Sequence, residues 1–295
     1  MLYRLIICLS LISSAFCNAP KLKVVATFSI LGDLIRQVGG VDVEVNFIVP
    51  ESADPHVYQP TPQDAAMLAK AELVFINGLD FEGWLERLIA NSGYTGEVIT
   101  ASAKVKPRIL VNSKGETVDD PHAWHCVKNA MLYVECIADA LIAARPSLKD
   151  KILKNKETYL NELIKLEEWV QAQYQRFPAA RRLVVTTHDA FWYYGDAYNI
   201  TFLSPVGIST DAEPSAAAVA NLIKDIRTKN IRAVFIESLS SRKLIVEIAA
   251  EAGVNVDGTL YADSLSASHQ TASPAQSYVA MIRHNTQEIV KGLDS

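Results

Sequence analysis

The chain has 295 residues, 49% of them hydrophobic and 21% charged, with a formal net charge of -5. This is globular composition, long enough for two domains of roughly 130 residues each, and it excludes a disordered or low-complexity chain. The mild acidity, with no basic block, argues against a nucleic-acid partner.

Arg4 is followed by the apolar run LIICLSLISSAF and then by CNAP. One charge, a short apolar core and a small-residue exit describe a secretory signal peptide over residues 1–19, cleaved after Cys17 or Ala19. The run is shorter than the about 20 apolar residues a spanning helix needs. Lipid on Cys17 fits poorly, because bulky Phe16 directly precedes it. The mature chain is therefore expected in the periplasm.

From Lys23, KVVATFSILGDLIRQVGGVDVEVNFIVP reads as strand, helix and a second strand, Val43 to Val49. The next stretch, ESADPHVYQPTPQD, holds His56 among Pro55, Pro60 and Pro62. A solvated imidazole needs no such bracing, whereas a ligand must present a fixed nitrogen at a fixed point. A buried strand from Leu73 to Asn77 leads into another helix, and DDPHAW then brings in His122. VKNAMLYVECIADALIAA, Val127 to Ala144, keeps helical spacing through Ala130, Leu132, Val134, Ile137, Ala138 and Leu141. That separates Cys126 from Cys136 by roughly 15 Å, too far for a disulfide, so two free, mostly buried thiols are expected.

Ser147 to Phe177 contains no glycine or proline, and Pro146 and Pro178 bracket it. Leu160, Leu163, Ile164 and Leu166 keep helical spacing among many charges. A helix of about 30 residues and roughly 45 Å is longer than one lobe requires and reads as a stiff strut. Beyond it the first pattern returns. RLVVTTHDAFWYYGDAYNITFLSPVGIS echoes the opening segment, and TKNIRAVFIESLSSRKLIVEIAAEAG echoes AKAELVFINGLDFEGWLERLIANSG. Strands alternating with helices predict parallel sheets covered on both faces. The expected architecture is α/β: two similar (β/α) lobes, residues 20–145 and 179–295, joined by a long linker helix over 146–178.

Ligands of open parallel sheets bind outside the carboxyl ends of the strands. His56, His188 after RLVVTT, and Asp263 after GTLYA all fall there, and His122 takes the matching loop of the first lobe. Three imidazoles and a carboxylate form a four-ligand set for a borderline divalent metal. Both Asp-Pro-His sequences repeat one device, in which the acid can also accept the other ring N–H. His125, His269 and His284 read as solvated or capping residues, the last two in polar or helical context without a bracing motif.

DPHVYQPTPQDAAMLAKAELVFINGLDFEGWL, DPHAW, VVTTHDAFWYYGDAY, EPSAAAVANLIKDIRTKNIRAVFIES and LYADSL follow one another over nearly the whole mature chain. In that order they resemble the signatures of metal-binding solute receptors of ABC transporters. The resemblance implies two lobes joined by one long helix, with zinc, manganese or, less favoured here, iron(II) between them. It implies His56, His122, His188 and Asp263 as ligands, and a membrane permease with a separate ATPase as partner of a monomeric receptor. Two departures stand out. His125-Cys126-Val127 replaces the usual Asp-Pro-type turn after the second motif. NSKGETV lacks the His-rich loop of zinc-dedicated members, whereas His188 stands where manganese and iron members often carry Glu. A secreted zinc hydrolase is the rival class, but no H-E-x-x-H is present and four protein ligands close the site. A surface adhesin has no support beyond the receptor-like body. The absence of G-x-x-x-x-G-K-[ST] leaves the power for transport to another subunit.

Overall fold

A computed structural model describes residues 20–111, 116–211, 213–267 and 273–295. The leader with Cys8 and Cys17, His269, and part of the segment before Asp119 lie outside them.

The first sheet is built from β1 (Leu22–Ala26), β2 (Val43–Phe47), β3 (Leu73–Ile76) and β4 (Glu97–Thr100), all parallel in the order β2-β1-β3-β4. Its crossovers carry α1 (Ser29–Gly39), α2 (Pro62–Leu68) and α3 (Leu85–Ser92). Then β5 (Ile109–Val111) and β6 (Thr117–Asp119) form a separate antiparallel pair, followed by a 3-10 turn (Ala123–His125) and α4 (Val127–Ala144). His122 thus follows a small hairpin rather than a strand of the parallel sheet, unlike the placement expected from sequence.

Another 3-10 turn (Pro146–Leu148) leads into α5 (Lys149–Tyr174), 26 residues and about 39 Å long. The second lobe contains β7 (Leu183–Val185), α6 (Trp192–Tyr198), β8 (Thr201–Leu203), α7 (Ala216–Thr228), β9 (Ala233–Glu237), α8 (Arg242–Ala252), β10 (Gly258–Leu260) and α9 (Tyr278–Asp294). Its parallel strand order, β10-β9-β7-β8, repeats that of the first sheet when each lobe is counted from its own first strand. The echo in the sequence is therefore an echo in topology.

The long helix is packed along its length. Ile152, Tyr159, Leu163, Leu166, Val170 and Tyr174 are buried, whereas Ile164 is 45% exposed on the outer face, against the expectation from spacing. α5 lies against α1 and α4 of the first lobe and against α6 and α9 of the second. One continuous core runs from Leu22 of β1 to Leu293 of α9, so the lobes share it. A smaller core fills the far side of the second sheet. β9 serves both: Ala233 and Phe235 face the shared core, while Val234 and Ile236 face the smaller one. Strands buried on both faces require such unbroken apolar runs.

Polar contacts reinforce the junction. The Trp124 indole donates to the Ala262 carbonyl at 3.0 Å, and the Tyr278 hydroxyl donates to the Trp124 carbonyl at 2.8 Å. On the hairpin side, the Arg108 amide donates to the Tyr193 hydroxyl at 2.7 Å. Cys126 and Cys136 are both free and partly buried.

Lobes that share a core have little freedom to rotate as rigid bodies. Small-angle scattering curves with and without the divalent metal implied by the sequence should nearly superimpose. A closure of several ångströms in radius of gyration would contradict the shared core.

Candidate metal centre

Local sequence aims each side chain. In both Asp-Pro-His motifs the aspartate accepts the backbone N–H of the histidine two residues on: Asp54 Oδ1 from His56 at 2.9 Å, Asp120 Oδ1 from His122 at 3.0 Å. The proline between them fixes its own φ, so the chain enters the histidine in one direction. The prolines after His56 have a separate task. Thr61 and Asp64 form a capping box, with Pro62 in the first helical turn, so α2 starts cleanly after the loop. The Trp84 indole donates to the Pro55 carbonyl at 2.8 Å, and Phe81 meets the His56 ring edge-on at 4.8 Å between centroids.

His122 is fully buried, with His188 at 1% and Asp263 at 4% exposure. The side chain of His56 is only 4% exposed. The ring nitrogens converge: His122 Nε2 lies 3.2 Å from His56 Nε2 and 3.3 Å from His188 Nε2. Asp263 closes the set, with Oδ1 3.6 Å from His122 Nε2, and Oδ2 3.4 Å from His188 Nε2 and 3.9 Å from His56 Nε2. Ligand bonds of 2.0–2.1 Å around a tetrahedral ion place ligand atoms roughly 3.3 Å apart. The observed separations match that requirement. Asp263 Oδ1 is buried with no hydrogen-bond donor, as expected of an oxygen aimed at a cation.

The far ring nitrogens decide which nitrogen points inward. His122 Nδ1 lies 2.9 Å from Asp120 Oδ1, and His188 Nδ1 bonds Glu237 Oε2. Each Nδ1–H donates to its carboxylate, which leaves Nε2 facing the centre. Asp54 differs: it holds only the backbone of His56, and its Oδ2 accepts from the Thr210 hydroxyl at 2.6 Å. The ring-orienting role expected of both motifs is thus seen in the second alone. Glu237 is the residue that sequence reasoning missed. It also accepts the N–H groups of Thr187 and His188, both at 2.9 Å. Its signal was a carboxylate ending the otherwise apolar strand Ala-Val-Phe-Ile-Glu.

Burial, then the neighbouring His188, holds His56 down at about 3, and burial with His56 and His188 holds His122 well below its usual range. Burial lifts Asp263 to about 7. His188 behaves oppositely: burial disfavours its charge, but Glu237 and then Asp263 outweigh that and raise its pKa. In the metal-free centre His56 and His122 are thus held neutral, while Glu237 and Asp263 favour a proton on His188.

Neither His125 nor His284 is a solvated residue. His125 is fully buried against Phe191, 4.5 Å between ring centroids, with neither nitrogen in hydrogen-bonding geometry to a partner. His284 donates from Nε2 to the Thr259 carbonyl at 2.9 Å.

The chain matches the family model "zinc-uptake complex component A periplasmic" over residues 24–292. The chain belongs to this family. Among its relatives, the manganese-binding lipoprotein MntA of Halalkalibacterium halodurans is 32% identical, covering 94% of this chain and 90% of that one. The iron ABC transporter substrate-binding lipoprotein MtsA of Streptococcus pyogenes is 29% identical over the same shares. Among solved structures, the periplasmic zinc binding protein TroA of Treponema pallidum superposes with a TM-score of 0.86 at 28% identity, covering 92% of this chain and 99% of that one. This is a family of solute receptors, not of enzymes, so the hydrolase reading falls.

Removing the Glu237 carboxylate leaves His188 unoriented. Glu237→Ala should lower metal affinity about 10–100-fold by competition against a chromophoric chelator. Loading a divalent metal at neutral pH must also expel the His188 Nε2 proton, so affinity should fall as pH falls. Calorimetry at about pH 8, where Asp263 has lost its own proton, in buffers of differing ionisation enthalpy should count about one proton released, and fewer in Glu237→Ala.

Proposed function

We propose that His56, His122, His188 and Asp263 bind one divalent first-row metal as cargo, zinc or manganese ahead of iron(II). The protein is a metal receptor for ABC import. The observation carrying the ligand assignment is the set of four buried ligand atoms, gathered from both lobes, that all lie within 4.8 Å of one another. On this reading residues 20–145 and 179–295 are the two lobes and 146–178 the linker. The protein works as a periplasmic monomer that hands metal to a membrane permease driven by a separate ATPase, with no nucleic-acid partner. Among the described residues no helix is long and apolar enough to cross a membrane.

Selectivity follows from the donors. Three imidazoles and a carboxylate suit zinc by ligand type, and zinc binds such a set more tightly than manganese. Manganese prefers more oxygen ligands. Asp263 can offer a second one, because its two oxygens face different imidazoles. Relatives named for manganese and for iron, and a structural neighbour named for zinc, accord with a site that admits several ions.

Native mass spectrometry of protein purified without chelator should show one metal per chain. His56→Ala and His188→Ala should lose it, and His284→Ala should keep it. Retention by both ligand variants would refute the assignment.

In calorimetric competition on metal-free protein, zinc should displace equimolar manganese. The reverse would mean that site geometry, rather than ligand type, sets the preference.

A further inference from the structure

All four proposed ligands are almost completely out of solvent, so an ion needs a route in and out. A cavity of about 490 Å³ reaches His188 from the second-lobe side. Four further cavities on the described residues reach none of the four side chains. Asp54, Thr210 and Ser240 line the cavity together with Lys243 and Glu247 of α8. Glu213 also faces it, giving three carboxylates against one lysine, a balance that draws cations inward.

Two of these lining residues, Thr210 and Asp54, are joined by a hydrogen bond 2.6 Å long between residues 156 apart in sequence. Asp54 is fixed to the backbone of His56 through its other oxygen. The segment before Thr210 is fixed to the His188 strand: Val206 pairs with His188, Asp189 donates its N–H to Gly207 at 3.2 Å, and Ser204 donates to Asp189 at 2.6 Å. One hydrogen bond therefore couples the loop carrying His56 to the segment paired with His188.

We propose that metal enters and leaves through this chamber, passing His188 first, and that the Thr210–Asp54 hydrogen bond is the latch across the route. The inference rests on the four-ligand reading. When the latch opens, the His56 loop and the His188 segment separate locally while the shared core stays packed. The metal then loses ligands from opposite lobes in turn. Thr210 is a positioning residue here: it touches no ligand and acts through Asp54.

The test uses zinc as the probe and stopped-flow mixing with excess chelator. Thr210→Val removes the donor at nearly constant shape, and a hydrogen bond to a carboxylate is strong enough to matter roughly tenfold. Release and association should both speed up by roughly tenfold, with the dissociation constant changed far less, a split that mere loosening of the site would not give. Thr210→Ser, which keeps the hydroxyl, should exchange at the wild-type rate. Ser240→Trp, which fills the chamber, should slow both steps at unchanged stoichiometry. Wild-type exchange rates in either Thr210→Val or Ser240→Trp would overturn the route. Wild-type protein that takes up no zinc would overturn the ligand assignment instead.

Discussion

Three imidazole nitrogens and a carboxylate crowd within 4.8 Å of one another among buried side chains, and much of the architecture serves to keep them there. Without a cation between them, such rings repel if more than one carries charge, and burial makes each charge costly. His56 and His122 meet that constraint by staying neutral. His188 meets it by carrying its proton beside Glu237. A centre of this kind cannot relax by swinging its lobes apart, because the shared core and α5 hold both in place. Preorganisation is thus a property of the whole packing.

Much of this was legible in the sequence. The strands from Ala233 to Glu237 and the helix from Val127 to Ala144 follow from apolar runs and 3.6-residue spacing, both local signals. The four converging side chains were legible because proline and aspartate leave a local mark beside two of them, and strand ends mark the others. What escaped depends on partners far apart in the chain. Glu237 meets His188 across 49 residues and Thr210 meets Asp54 across 156, and no local pattern records such pairings. The shared core escaped for the same reason: periodicity in α5 shows that one face is apolar, but not that elements of both lobes cover it. His125 was read as solvated because an imidazole is polar. Its place is set by the aromatic rings of Trp124 and Phe191, which accept it as a flat, neutral filler.

The two lobes repeat one framework and spend it differently. Thr27 and Phe28 after β1 correspond to Thr187 and His188 after β7. In the first lobe the buried carboxylate of Glu82 accepts from the Thr27 hydroxyl and from the Asn77 amide, both at 2.6 Å. There it secures a turn in which Gly78, Leu79 and Asp80 all take positive φ, an uncommon run for side-chain-bearing residues. The product of that turn is a wall: Phe81 against His56, and Phe28 against both Phe81 and Trp124.

In the second lobe a different buried carboxylate, Glu237, takes the backbone N–H groups of Thr187 and His188, and its neighbour is an imidazole rather than a phenyl ring. A buried carboxylate thus supports an apolar backing in one lobe and a charged ligand in the other. The centre is consequently lopsided. Neutral imidazoles with aromatic walls come from the first lobe, whereas Asp263 and the His188–Glu237 pair come from the second. An incoming dication gains most where carboxylates stand and a proton can be expelled. That side is also the one on which the cavity reaches His188, so electrostatics and access favour the same face of the protein.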